Sequence, residues 1–195
     1  MLMCMAKLYF RYGAMNCGKT TALIQVAYNY EERGMHVAIV KAAIDSKGAD
    51  TVVSRLGTTR TVDILATPHQ DLAKAVRDLG EIHCVLVDEA QFLEPAQVDQ
   101  LLALTVEDNI PVIAYGLRAD FQRNSFPGSR RLFELAHTVE ELKTICRWGK
   151  KAIYNGRKVN GSFVFEGNQV AIDGEHSVDY ESLCAHCYAR EKAAA

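Results

Sequence analysis

The sequence of 195 residues has no surplus of either charge: 22 Lys and Arg stand against 24 Asp and Glu, for a formal net charge of −2. That balance argues against a dedicated nucleic-acid binder, whose affinity would rest on counterion release by a basic face. It leaves room for a small phosphorylated ligand held by a few local cations. No stretch approaches the roughly 18 consecutive apolar residues of a membrane helix, and Lys7 and Arg11 interrupt the apolar start. No charged region precedes that start and no small-residue cleavage site follows, so no signal peptide is expected. The expected compartment is the cytoplasm. The six cysteines (Cys4, Cys17, Cys84, Cys146, Cys184 and Cys187) are then expected as thiols or metal ligands rather than disulfide partners. Internal repeats and low-complexity segments are also missing.

What is present is the composition of a soluble globular protein, 49% hydrophobic and 24% charged. The length suits one ordinary domain with a small appendix. Residues 6–12 read as an apolar strand, 19–33 as a helix with Leu23, Val26, Ala27 and Tyr30 at spacings of three and four, and 36–40 as a strand. The pattern is lost over 41–61, which predicts a long functional loop or flap. A helix over 68–79 follows, then a continuous apolar run at 82–87, as expected of a strand covered on both faces. Helix 95–106, strand 110–115 and helix 129–136 continue the alternation, with 142–146 as one more central strand. This alternation implies an α/β fold with a parallel sheet between helices. After residue 147 short β-like runs (152–154, 162–165, 169–172) alternate with Asn-Gly and Gly-Asn turns. The expected division is an α/β domain over 1–147 and a small β-rich domain over 148–195.

Gly13-Ala14-Met15-Asn16-Cys17-Gly18-Lys19-Thr20 fits G-x-x-x-x-G-K-[ST], between a predicted strand and a predicted helix. Glycines let backbone N–H groups converge on phosphate oxygens, and the helix start adds the positive end of its dipole. Lys19 can reach the β- and γ-phosphates, and the Thr20 hydroxyl can ligate Mg²⁺. The segment is read as a site for a nucleoside triphosphate, with ATP and Mg²⁺ as the cofactor pair. The run 84–88 is an apolar strand ending in Asp88 and Glu89. A carboxylate at such a strand end holds Mg²⁺, usually through water, and a neighbouring acid can act on the nucleophile. Asp88 is the metal candidate and Glu89 the base candidate. Water as nucleophile would make an ATPase, and a substrate hydroxyl would make a kinase. The tetrad Asp88-Glu89-Ala90-Gln91 also occurs in nucleic-acid motors, but this chain supplies neither a second motor domain nor a basic track.

Gly13 to Thr20, Asp88-Glu89-Ala90-Gln91-Phe92, Gly116-Leu117-Arg118-Ala119-Asp120-Phe121 with Phe126, and Tyr180 four residues before Cys184 come in one order. Together they resemble the type II thymidine kinase family over nearly the whole chain. The resemblance implies a P-loop core with a small zinc-ribbon-like domain whose lasso loop closes over the nucleoside. It implies transfer of the ATP γ-phosphoryl group to the 5′-hydroxyl of thymidine, with Glu89 as base. It also implies a homotetramer, with thymidine and ATP as partners rather than nucleic acid or membrane. Asp88 and Gln91 join Gly13 to Thr20 at the nucleotide. Asp45-Ser46-Lys47 falls where the family has Asp-x-Arg, with Lys47 in place of the arginine, so a bidentate contact is not available there. Phe121 matches the aromatic that lies against thymine, although a phenylalanine there also suits the core. Gln169, Val170, Ala171, Ile172 and Asp173 match the stretch whose backbone hydrogen-bonds the base edges, and Tyr180 the tyrosine that closes over the nucleoside. Such a pocket rejects purines and cytosine more strongly than uracil, which lacks only a methyl group. Broader pyrimidine preference is the second reading among enzymes, and a P-loop ATPase acting on nucleic acid the reading from another class.

Cys184-Ala185-His186-Cys187 has the C-x-x-C spacing of half a tetrahedral zinc site. The family supplies a second pair near Cys146, but here Arg147, Trp148 and Gly149 follow and the second cysteine is missing. Cys146, Cys184 and Cys187 are thus one ligand short of a structural Zn²⁺ site. Another residue completes it (His186 is nearest), zinc binds weakly, or the metal has been lost.

Overall fold

Apolar runs without alternation belong in strands covered on both faces, and such runs form the middle of the molecule. The computed structural model describes residues 5–43, 51–54, 56–169 and 177–195. Its first half comprises β1 (Leu8–Gly13), α1 (Lys19–Glu31), β2 (Val37–Ala42), β3 (Thr51–Val53), β4 (Thr59–Thr61), β5 (Ile64–Ala66), α2 (Leu72–Arg77), β6 (Cys84–Asp88) and α3 (Pro95–Glu107). Then come β7 (Val112–Leu117), α4 (Pro127–Leu135), β8 (Thr138–Glu141), β9 (Thr144–Ile145), β10 (Lys151–Ala152), β11 (Tyr154–Val159), β12 (Ser162–Val164), β13 (Val178–Leu183) and α5 (Ala185–Ala194). Six strands form one sheet in the order β5-β2-β6-β7-β1-β8, and every pairing in it is parallel.

Successive side chains of the central strands go to opposite faces. Val40, Val85, Val87, Val112 and Ala114 pack with Leu72, Val76, Val98, Leu101, Leu104 and Leu132 of α2, α3 and α4. Ile39, Cys84, Leu86, Ile113 and Tyr115 pack instead with Leu23, Ile24 and Ala27 of α1. Each fully buried Leu, Ile or Val contributes about 1.5–3 kcal/mol, so this double-sided core fixes the strand ends from which the cleft is built. The C-terminal segment forms an antiparallel sheet, β12-β11-β13, packed on α5. Its own core gathers Ala152, Leu183, Tyr188 and three cysteines.

Several expectations need correction. The predicted loop over 41–61 contains, in its described part, the antiparallel hairpin β3–β4, closed by a turn with Gly57 in the left-handed region. The strand β5 was not expected; three residues are too few for periodicity to register. The helix predicted from Pro68 begins only at Leu72, because His69 turns left-handed and Asp71 caps the helix by accepting from Lys74 N–H. The sixth strand of the sheet is β8 rather than 142–146. As an edge strand it tolerates acids, and Glu140 pairs with Arg11 of β1 at 2.7 Å. Asn155-Gly156 is no turn but lies inside β11, where a Cβ on Gly156 would strike the Phe163 ring and Leu183. The true turn is Asn160-Gly161, both left-handed, the two-residue connection of a tight hairpin. The strand β13 and the helix α5 were also unexpected. Gln169 is not in a strand, and the remainder of the predicted run at 169–172 lies outside the described residues.

Candidate active site

The C-terminal ends of β1, β6 and β7, adjacent in the sheet as β6-β7-β1, converge on one cleft. This is where an open parallel sheet places its ligands. The turn from β1 into α1 runs from Gly13 to Thr20. A Cβ on Gly13 would collide with Cys17 Sγ and lie 2.6 Å from the Leu142 carbonyl, so only glycine fits there. Asn16 and Gly18 are left-handed, with φ of 65° and 82°. No side chain caps α1, and its first turn carries no acid, so its leading N–H groups are left for a ligand. Lys19 Nζ donates to the Ala14 carbonyl at 2.9 Å within the same loop. The cleft has a volume of about 760 Å³, with Lys19, Thr20, Gln25, Val53, Glu89 and Leu117 in its walls.

The acid pair sits across from the loop. Asp88, 4% exposed, ends β6 and accepts from the Thr20 hydroxyl at 3.4 Å. Burial, and then the charge of Glu89, pushes its carboxyl up to about 6, with Lys19 and Lys41 acting in the opposite direction. Consecutive side chains of a strand point to opposite faces, yet Glu89 faces the same cleft. The chain achieves this by ending the strand at Asp88 and placing Glu89 in the left-handed region, with φ of 52°. Gln91, fully buried, holds the Glu89 carboxylate with Nε2 at 2.5 Å while its Oε1 accepts from Leu117 N–H at 3.0 Å. Gly116 leaves the space for it, since a Cβ there would lie 2.9 Å from Gln91 Oε1.

A second cluster lies on the C-terminal sheet. The Phe121 ring is buried, with the Arg157 guanidinium 3.7 Å over it. Arg157 also donates to the Tyr180 hydroxyl at 3.0 Å and to the carbonyls of Asn168 and Gln169 at 2.7 and 2.8 Å. Gln169 Nε2 donates to Asp120 Oδ2 at 3.0 Å, and the Tyr188 hydroxyl donates to the Phe121 carbonyl at 2.7 Å. Phe121, Tyr180 and Gln169 therefore share Arg157 as a neighbour. Asp45, Ser46 and Lys47, and likewise Val170, Ala171, Ile172 and Asp173, lie outside the described residues. Sequence reasoning missed Asn155, Arg157 and Ser182. Their signal was polar residues at every second position of a strand, hidden by the Asn-Gly dipeptide.

In the core of the C-terminal segment the thiols of Cys146, Cys184 and Cys187 lie within 4.8 Å of one another, all buried. The Cys146 thiol sits low, at about 7: burial opposes this, but the backbone N–H groups of Trp148 and Lys150 outweigh it. Soft thiolates suit zinc, and the three converge as half a site and one further ligand. No fourth His, Cys, Asp or Glu joins them among the described residues, and His186 is exposed.

A glycine turn feeding an uncapped helix, faced by a lysine and a strand-end carboxylate, has one suitable ligand, a polyphosphate with its divalent cation. The fold is of the P-loop NTPase-like class. Within that class, a family model described as Thymidine kinase matches residues 6–188. Proteins named thymidine kinase from Ruegeria pomeroyi and Chromobacterium violaceum are 46% and 47% identical, covering 92% and 94% of this chain and 92% and 98% of their own. One from Enterobacteria phage T4 is 46% identical over 92% of this chain and 94% of its own. The chain belongs to the thymidine kinase family.

Proposed function

We propose that the protein transfers the γ-phosphoryl group of ATP to the 5′-hydroxyl of thymidine, giving dTMP and ADP. The observation that carries this reading is the meeting of Thr20 and Asp88 at 3.4 Å with Glu89 turned into the same cleft. In this reading the N–H groups between Gly13 and Thr20 cradle the phosphates, and Lys19 leaves the Ala14 carbonyl to meet the β- and γ-oxygens. Thr20 and Asp88 hold Mg²⁺, which when bound neutralises charge developing on the transferred group. A loose phosphoryl-transfer transition state needs little covalent help. Glu89 therefore orients the 5′-hydroxyl and accepts its proton late, and Gln91 fixes the carboxylate for that task. Phe121, Tyr180 and the backbone of 169–173 enclose the base, with Asp45, Ser46 and Lys47 near the nucleotide. Cys146, Cys184 and Cys187 would supply three of the ligands of a Zn²⁺ that ties residue 146 to the start of α5 and takes no part in the chemistry. Residues 1–147 form the nucleotide-binding domain and residues 148–195 the small lasso and zinc-ribbon-like domain of a cytoplasmic homotetramer, the assembly resting on the resemblance alone.

The test is ATP consumption by the purified protein. It should depend on thymidine, ignore added DNA and RNA, and fail with 5′-deoxythymidine, which lacks the acceptor hydroxyl. Glu89→Gln, which keeps size but cannot take a proton, should lower kcat about 10²–10⁴-fold with both affinities near wild type. ATP hydrolysis stimulated by nucleic acid without thymidine would replace this reading with an ATPase. Equal turnover of deoxyuridine would widen it to a general pyrimidine nucleoside kinase.

A further inference from the structure

The phosphate loop is held from outside its own sheet. Met15 is gripped on both sides of its backbone: its N–H donates to Asn155 Oδ1 at 2.7 Å, and its carbonyl accepts from the Ser182 hydroxyl. Asn155 also donates through Nδ2 to the Ala119 carbonyl at 3.1 Å. Asn155 and Ser182 are directly opposed in the β11–β13 register, and the next same-face pair is Arg157 opposite Tyr180. Neighbouring rungs of one antiparallel ladder thus hold two separate groups of residues. The first holds the phosphate loop; the second holds Phe121 and the carbonyls of 168 and 169. Both residues of the first rung are buried, so these hydrogen bonds do not compete with water. An N–H engaged by Asn155 is also withdrawn from any phosphate oxygen, which leaves the anion to the N–H groups that follow Met15.

We propose that Asn155 and Ser182 are positioning residues for the nucleotide, fixing the peptide flanks of Met15 so that the rest of the phosphate loop presents its N–H groups to one place. The proposal rests on the reading that Gly13 to Thr20 binds ATP. It assigns to the C-terminal sheet, otherwise the nucleoside side of the cleft, a role in the ATP site.

The test compares Asn155→Ala, Ser182→Ala and Arg157→Met by calorimetry with a non-hydrolysable ATP analogue and with thymidine, each alone, and by steady-state kinetics. Loss of one hydrogen bond corresponds to roughly a 2–10-fold change in affinity. Asn155→Ala and Ser182→Ala should weaken the nucleotide analogue by that factor and raise the KM for ATP, with thymidine affinity within about two-fold of wild type. Arg157→Met should do the reverse. Ser182→Ala deletes a single hydroxyl and keeps the test open if Asn155→Ala does not fold. Unchanged nucleotide affinity in the folded variants, or equal loss of both substrates, overturns the proposal. Unchanged nucleotide affinity in Lys19→Ala would instead remove the site reading beneath it.

Discussion

The six-stranded sheet and the three-stranded C-terminal sheet meet at the phosphate loop but are held together by different forces. The large sheet is sealed on both faces by aliphatic side chains, with Leu86, Leu101 and Leu104 wholly buried. The small one relies on charge set against rings and on a few ion pairs. Arg123 lies 4.8 Å over Tyr188 and Lys158 4.8 Å over Phe163, and Glu181 accepts from Arg147 and Lys158 at 2.7 and 2.6 Å. Lys158 and Arg147 hold the Glu181 carboxyl below its usual range, against the effect of its burial. Apolar burial is spread over many contacts, so the loss of one polar group barely registers in the large sheet. The small sheet, with one short core that includes three thiols, depends on single groups. The phosphate loop is thus mounted on the sheet whose stability is spread over many apolar contacts, and Arg157 and Tyr180 on the sheet that depends on single polar groups.

The largest expected effect concerns the robust half. Lys19→Ala should cut turnover by orders of magnitude while the thermal melt stays within a few degrees of wild type; a collapsed melt would mean that the phosphate loop is structural. A chelator should act on the other half alone. If the three thiols hold zinc, metal analysis should find about one per chain, and its removal should speed hydrogen exchange in β11 and β13 while β6 and β7 stay protected. Uniform loosening would erase the contrast between the sheets. The smallest effect runs against intuition, since Asp88→Asn should stabilise the unliganded protein. The folded carboxyl keeps its proton to about pH 6, whereas the unfolded one releases it near 3.9. The folded state therefore binds more protons between those values, and wild-type stability falls as pH rises through that window. Asp88→Asn should flatten that slope and gain about 1–3 kcal/mol at pH 7, read from urea unfolding at pH 4 and pH 7.

The contrast also explains how much was legible in the sequence. Continuous apolar runs announce strands covered on both faces, so β1, β6 and β7 were readable, as were Gly13 to Thr20 and the strand-end acids. Parallel order within the sheet follows from helices between strands. The small sheet defeats the same logic. Its strand β11 carries Asn155, Gly156 and Arg157, which by residue type spell turn and surface. Asn155 and Arg157 are nonetheless buried there, with Met15, Ala119 and Tyr180 from other parts of the chain to satisfy them. Local pattern cannot report a partner roughly 140 residues away. Edge strands such as β8 failed for a related reason, since their acids are answered by arginine and lysine from other segments.

Glu89 carries an evolutionary consequence. An L-residue in the left-handed region costs about 1–2 kcal/mol that glycine avoids, and Glu89 stands there to bring its carboxylate beside Asp88. Every generation of this gene therefore trades a little stability for that carboxylate. A lineage that no longer needed phosphoryl transfer would gain by drifting to glycine or asparagine at 89, long before the glycine turn or the sheet decayed. Positions 88 and 89 are thus where abandonment of the chemistry would become visible in a descendant sequence that still folds.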